Sequence, residues 1–348
     1  QGDKEGDPFT RPERSVVYQR AKRESDVQPF GTLLDTGAVG YEWFEHSVRS
    51  NEPAASEVRV AIGGASCTQP YDASHLNISA MSFGSLGKNA VLALNKGAKL
   101  GGFAHNTGEG GISRYHLDPG GDLVWQLGTG YFGARAEDGT FDVAQFRERS
   151  AADSVRMIEL KLSQGAKPGG GGILPGTKVT RDIAAARGVP EGKTVHSPAR
   201  HSSFDTPVGL CEFMATLREA SGGKPVGFKL CIGNRWEFLA ICKAMLETGQ
   251  RADFIVVDGA EGGTGAAPGE FLDHVGTPLR QGLVFARNAL VGCGLKDDIK
   301  LAASGKQVSA FNMAASLALG ADWINTAQRK HEAPRGVDPI GAQRERRR

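Results

Sequence analysis

The clearest alternation of apolar and polar positions runs from Arg156 to Leu162. Ile158, Leu160 and Leu162 fall on one face, Glu159 and Lys161 on the other, the period of two expected of a strand. A lone buried charge is costly, so the charged face must meet a partner, a ligand or solvent. The strand breaks into Gln164-Gly165-Ala166-Lys167-Pro168, followed by four glycines, Gly169 to Gly172. Such a run reads either as a flexible surface loop or as bare backbone whose N–H groups can approach a ligand. Lys161 and Lys167 beside it favour an anionic ligand.

The same design, a strand followed by a glycine-rich loop, recurs along the chain. Asn77–Met81 reads as a strand, with an Ala- and Leu-rich helix running to about Leu100. Gly102–His105 reads as the next strand and Asp122–Gly133 as a hairpin excursion. Phe141–Asp153 reads as a helix, Arg156–Leu162 as the third strand, Val179–Arg187 as a helix and Lys193–His196 as a short fourth strand. Pro207–Ala220 is a helix, Pro225–Cys231 the fifth strand, Trp236–Glu247 a helix and Asp253–Asp258 the sixth strand. Leu279–Val291 is a helix, Ile299–Ala303 the seventh strand, Ser309–Leu319 a helix and Asp322–Asn325 the eighth strand. Eight β/α units in this span predict an α/β fold, a (β/α)8 TIM barrel with ligand loops at the C-terminal strand ends. A doubly wound open sheet shares the alternation. Loops after nearly every strand, and no G-x-G-x-x-G after the first, favour the barrel. The division expected is an irregular N-terminal cap over 1–75, the barrel over 76–327 and a charged tail over 328–348, with no closing helix after the eighth strand.

Composition narrows the function. The 348 residues are 40% hydrophobic and carry 48 glycines, with a net charge of +2. That balance points to neither nucleic acid nor a membrane surface, and no apolar run is long enough to span a bilayer. The five cysteines, Cys67, Cys211, Cys231, Cys242 and Cys293, show no C-x-x-C spacing. No metal or iron–sulfur pattern follows, and a reducing cytoplasm is expected.

Three groups of residues carry candidate chemistry. Gly262-Gly263-Thr264-Gly265 and Ser304-Gly305-Lys306 follow the sixth and seventh strands, where barrels hold phosphate. The second reads as the start of a helix, a position that favours anions, although Gly305 alone could be a tight turn. Lys161 and Lys229 project from strands and either pair with carboxylates or face a ligand. Glu109, between glycines and close to His105, is an acid–base or substrate candidate. His201 is a loop histidine near a strand end.

Five motifs occur in order: Ser79-Ala80-Met81-Ser82-Phe83-Gly84, Asn106-Thr107-Gly108-Glu109-Gly110-Gly111, Gln164-Gly165-Ala166-Lys167-Pro168-Gly169, Asp258-Gly259 with Gly262-Gly263-Thr264-Gly265-Ala266, and Ala303-Ser304-Gly305. Over about residues 70–327 the chain resembles the FMN-binding synthase domain of the glutamate synthase family. The resemblance implies a TIM barrel holding FMN. The implied reaction is hydride transfer to 2-iminoglutarate, formed from 2-oxoglutarate and ammonia, giving L-glutamate. It places Ala80, Met81 and Ser82 along the flavin, Asn106 and Thr107 nearby, and Lys229 at the pyrimidine. Gly262, Gly263, Thr264, Ser304, Gly305 and Lys306 would hold the phosphate. Met81, Ser82, Glu109, Lys161 and Lys167 would surround a small anionic substrate, with Glu109, Lys161 and Lys167 in catalytic roles. Electrons would come from a donor protein or reductase subunit.

Four departures matter. The family's loop glutamate is Gly170 here and its glutamine is Ile173, which points away from 2-oxoglutarate toward a less polar anion. No cysteine follows the eighth strand, so an iron–sulfur cluster is not supported. Neither the glutaminase domain nor a pyridine-nucleotide domain is in this sequence. Alternatives are an FMN barrel acting on another anionic substrate and a non-catalytic flavin-binding subunit.

Overall fold

The computed structural model describes residues 9–327 apart from 26, 28–30, 50, 53–57, 166, 168–170, 262–266 and 273. In chain order its elements are α1 (Arg11–Ala21), β1 (Arg59–Ile62), β2 (Tyr71–Ser74), β3 (Leu76–Ile78), α2 (Lys88–Gly101), β4 (His105–Asn106), α3 (Arg114–Leu117), β5 (Leu123–Leu127), α4 (Val143–Ser150), β6 (Val155–Lys161) and β7 (Ile173–Leu174). There follow α5 (Arg181–Arg187), β8 (Val195–His196), α6 (Pro207–Ala220), β9 (Val226–Cys231), α7 (Arg235–Thr248), β10 (Phe254–Asp258), α8 (Leu279–Gly292), β11 (Lys300–Ser304), α9 (Ala310–Ala318) and β12 (Trp323–Thr326). Eight parallel strands close a barrel in the order β3-β4-β5-β6-β9-β10-β11-β12. This is the expected (β/α)8 fold.

Strand alternation sorts the buried side chains into two layers. Ile158, Leu160, Phe228, Leu230, Ile255, Val257, Leu301 and Ile324 point outward. They form one core with Leu210, Met214 and Leu217 of α6, Phe238 and Met245 of α7, and Leu283 and Leu290 of α8. The opposite faces fill the barrel. At its N-terminal end, Val124, Met157, Phe254, Val256, Ala302 and Trp323 pack against Ile62, Tyr71 and Ala73. The last three come from β1 and β2, an antiparallel hairpin. The segment expected as an irregular cap thus supplies a hairpin that plugs the barrel floor.

Two strand assignments change. The stretch read as a hairpin excursion contains β5, a barrel strand between β4 and β6. The fourth strand expected at 193–196 yields only β8, paired antiparallel with β7 outside the barrel. The physical reason is the crossover. A single helical turn, α3, leads into β5, too short to show a helical period, and all five β5 residues are buried. Trp125 of β5 stacks on Phe146 of α4, with centroids 5.1 Å apart. The true excursion, with β7, α5 and β8, lies between β6 and β9.

One buried ion pair fastens the floor. Asp253, just before β10, takes Arg218 of α6 at 2.9 Å, and both side chains are almost fully buried. The same carboxylate accepts the N–H groups of Val226 and Gly64, tying β9 and the hairpin loop to one group. Asp253→Ala leaves Arg218 charged and unpaired, a loss of about 3–5 kcal/mol in urea unfolding. An Asp253→Leu, Arg218→Met double variant should lose clearly less. Equal losses in the two variants would contradict the clamp.

Candidate functional site

Above the apolar floor the barrel interior turns polar, and most of its polar groups meet across strands. Glu159 of β6 is buried on the axis. Its Oε1 accepts from Asn106 Nδ2 at 3.0 Å and Gln126 Nε2 at 2.5 Å. Burial raises its pKa, against the pull of Lys229 and the two amides. Lys229 of β9 meets Asp258 at the end of β10, 3.1 Å away. Burial alone would lower the Lys229 pKa, but the carboxylates of Asp258 and Glu159 outweigh it and the net shift is upward, so the ammonium stays charged.

At the mouth, Lys161 of β6 meets Glu109 of the loop after β4 at 3.2 Å. The two strand lysines therefore have carboxylate partners, one of the two outcomes expected of them. Burial pushes the Glu109 carboxyl up, but Lys161, then Lys167 and Arg187, bring it net below its ordinary value. Desolvation lowers the Lys167 pKa, with Glu109 opposing. Glu109, Lys161 and Lys167 line one cleft with Thr129, Ser163 and Gly172. The three expected catalytic residues are thus brought together.

The expected cofactor residues that the structure describes lie around the same mouth, at the C-terminal strand ends. Ala80, Met81 and Ser82 follow β3. The Met81 N–H donates to the Asn106 carbonyl at 3.0 Å, and the Met81 carbonyl lies 3.1 Å from His116 Nε2. That nitrogen must carry the proton, because a carbonyl only accepts. His116 Nδ1 then accepts from Ser113, and burial lowers its pKa to about 4. Asn106 Oδ1 accepts the Gly108 N–H. The Thr107 hydroxyl donates to the Gly108 carbonyl and accepts from the Gln126 N–H. The Thr107 side chain shapes the turn, while Asn106 both shapes it and reaches inward to Glu159.

Next to the 80–82 segment the Ser304 hydroxyl lies 3.4 Å from that of Ser79. The Gly259 N–H donates to the Ser304 carbonyl at 2.8 Å. Ser304-Gly305-Lys306 was expected to open a helix. Instead α9 starts at Ala310, and Ser309 and Asn312 close its first turn as a capping box. The stronger capping signal lay further along the chain, and the helix took it. Residues 304–306 form a turn with positive φ at Gly305 (140°) and Lys306 (41°). Gly262, Gly263 and Thr264 lie outside the described residues, as does Gly170. Ile173 is described and is 63% exposed; it does not line the cleft.

Two histidines remain. The His105 ring lies 5.2 Å from that of His116, and neither of its buried ring nitrogens has a hydrogen-bond partner among the described residues. Burial, and secondarily His116, keep it neutral. His201 Nε2 meets the Lys161 carbonyl at 3.0 Å, and its Nδ1 accepts from the Tyr131 hydroxyl at 3.1 Å. It braces the strand end that carries Lys161.

Sequence reasoning missed Arg187. It is 7% exposed, at the end of α5. Its guanidinium lies 4.8 Å above the Phe132 ring, and its Nη2 is 3.5 Å from the Phe83 carbonyl. Its Nε is buried without a hydrogen-bond partner among the described residues, which invites a ligand or water. The available signal was position: Ile183, Ala184 and Arg187 share the buried face of α5.

Comparison with known proteins gives a consistent result. The family model described as "Conserved region in glutamate synthase" matches residues 51–330. The chain is 43% identical over 269 residues to the glutamate synthase large subunit-like protein YerD of Bacillus subtilis (strain 168), covering 77% of this chain and 51% of that protein. It is 36% identical over 253 residues to the archaeal glutamate synthase (NADPH) of Methanocaldococcus jannaschii, covering 72% and 46%. The chain spans about half the length of these curated relatives. Among solved structures, a flavocytochrome b2 double mutant with pyruvate bound aligns over 80% of this chain and 63% of its own, at 14% identity and a TM-score of 0.45.

The Glu109–Lys161 pair makes a pH prediction. A depressed folded pKa gives stability that is present above the unfolded carboxylate value and is lost as pH falls through the folded one. Lys161→Met removes the main opposing charge, so burial should carry the Glu109 carboxyl above its ordinary range. Isotope-edited infrared titration of the carboxylate band, with Glu109→Gln as the assignment control, should show the rise. An unchanged midpoint would dissolve the pair.

Proposed function

The chain belongs to the glutamate synthase family, and on that premise we propose that it is an FMN-dependent oxidoreductase acting on a 2-imino or 2-oxo acid. The observation that carries this reading is the pairing of the two strand lysines. Lys229 with Asp258 and Lys161 with Glu109 stand on one barrel interior, the second pair at the wall of a cleft.

The residues present fit FMN. The 304–306 turn combines backbone at positive φ with the Ser79 and Ser304 hydroxyls and the Lys306 ammonium, a donor set for a phosphate. Gly305, at φ 140°, has a backbone that L side chains rarely adopt. Deeper in, Lys229 presents a permanent positive charge for the pyrimidine end of the ring. When bound, FMN would supply the hydride. The chain's own residues would do the rest. Lys161, Lys167 and Arg187 attract the substrate carboxylate, and Glu109 holds Lys161 in place. Lys167, whose pKa is lowered by desolvation, is the suited proton donor to the nitrogen that becomes the amine. Electrons would come from a partner protein or reductase subunit.

A second reading, an FMN barrel for a different anionic substrate, follows from the loop sequence, where the family's glutamate and glutamine are Gly170 and Ile173. Ile173 is exposed and outside the cleft, so the lost neutral hydrogen bond, worth ~0.5–1.5 kcal/mol, counts only where a bound substrate reaches it.

Two outcomes test these readings. The protein should bind FMN stoichiometrically in a fluorescence titration, and Lys229→Met should lower the potential of the bound flavin. The lost Coulomb attraction is of order a few kcal/mol at intermediate dielectric. No flavin binding would overturn both readings. With reduced protein and ammonia, 2-oxoglutarate should turn over slowly, and an Ile173→Gln, Gly170→Glu double variant should be faster. Fast turnover by the unmodified protein, with no gain in the variant, would remove the second.

A further inference from the structure

Asp258 ends β10 with its side chain inside the barrel, and it faces two ways. Its Oδ1 takes the Lys229 ammonium at 3.1 Å. Its Oδ2 accepts the backbone N–H of Gly165 at 3.0 Å. Gly165 belongs to the turn that leads from β6 to Lys167, where the Lys167 N–H donates to the Gln164 carbonyl. That turn is pressed onto the loop after β10. A Cβ at Gly165 would overlap the Gly259 carbonyl oxygen, so the two loops meet backbone to backbone, and only glycine permits it.

We propose that Asp258 is a positioning residue that sets the Lys229 ammonium and the Lys167 turn together. One carboxylate links the cation deep in the barrel to the lysine at the cleft. A neutral or shorter side chain would release them separately, because the ammonium needs the charge and the Gly165 N–H needs only an acceptor. The linkage itself stands on the distances above; what the two lysines face rests on the flavin reading.

The test is lysine footprinting of the full chain with a trace of acetic anhydride and no added ligand, read by mass spectrometry. Lys243, exposed on α7, is the internal reference. Asp258→Asn keeps an acceptor for Gly165 but loses the charge. Lys229 labelling should rise several-fold while Lys167 stays within twofold of the parent. Asp258→Ala should raise both several-fold. Should the alanine variant fail to fold, Asp258→Ser, too short to reach Gly165, takes its place with the same expectation. Parent-like labelling of either lysine in the truncated variant overturns the linkage.

A second arm uses FMN-loaded protein. With bound FMN keeping Lys229 in place, the flavin potential should rise in both Asp258→Asn and Asp258→Ala, because one of the carboxylates beside the cation is lost; a purely structural role would not set that direction. A parent that binds no FMN refutes the flavin reading, while the footprint still decides the role of Asp258. Bound FMN with an unmoved potential overturns the claim that this cation faces the cofactor.

Discussion

Charge buried inside a barrel must be neutralised within a few ångströms, and that constraint organises the upper half of this molecule. Glu159, Lys229 and Asp258 lie inside the closed sheet, with Lys161 and Glu109 at its mouth. An unpaired charge there would cost several kcal/mol, so the sequence supplies each with a partner from another strand or loop. The partners come from β4, β5, β6, β9 and β10. Satisfying the charges therefore fixes where five strand ends stand relative to one another. The lower half obeys the opposite rule. There the same inward-facing positions are apolar, and the β1–β2 hairpin seals them from water. The molecule places a polar, ligand-ready mouth on a dry floor.

How much of this could be read from the sequence depends on the range of the signal. The alternation in β6 correctly put Glu159 and Lys161 on one face, which the barrel turns inward, and the repeat of strand, glycine loop and helix gave the barrel. Partners were not legible, since Lys161–Glu109 and Lys229–Asp258 join residues far apart in the chain. β5 was misplaced because a one-turn helix precedes it, and 193–196 looked like a strand although only two of its residues pair. The start of α9 was legible at Ser309, its N-cap; what failed was the placing of Ser304-Gly305-Lys306 at a helix start, because the capping box at Ser309 and Asn312 leaves that triplet as a separate turn. Arg187 escaped notice because its helix carries no glycine loop, and only its place on a buried helical face marks it.

Membership of the glutamate synthase family and the geometry of the mouth point the same way. The loops that carry the family's motifs converge at the C-terminal ends of the strands, where barrel sites form. Several buried polar side chains there serve the fold rather than the ligand. Thr107, His116 and His201 shape or brace strand ends. Among the described residues, Lys167, Arg187 and the 304–306 turn stand around the paired lysines without such a bracing role.

A crystal structure of the protein loaded with FMN tests the central claim most directly. The account predicts the phosphate on the Ser304–Lys306 turn, the pyrimidine edge of the ring within hydrogen-bond reach of Lys229 Nζ, and the open face of the ring toward the cleft of Glu109, Lys161 and Lys167. FMN bound elsewhere, or a ring separated from Lys229 by other side chains, would contradict it.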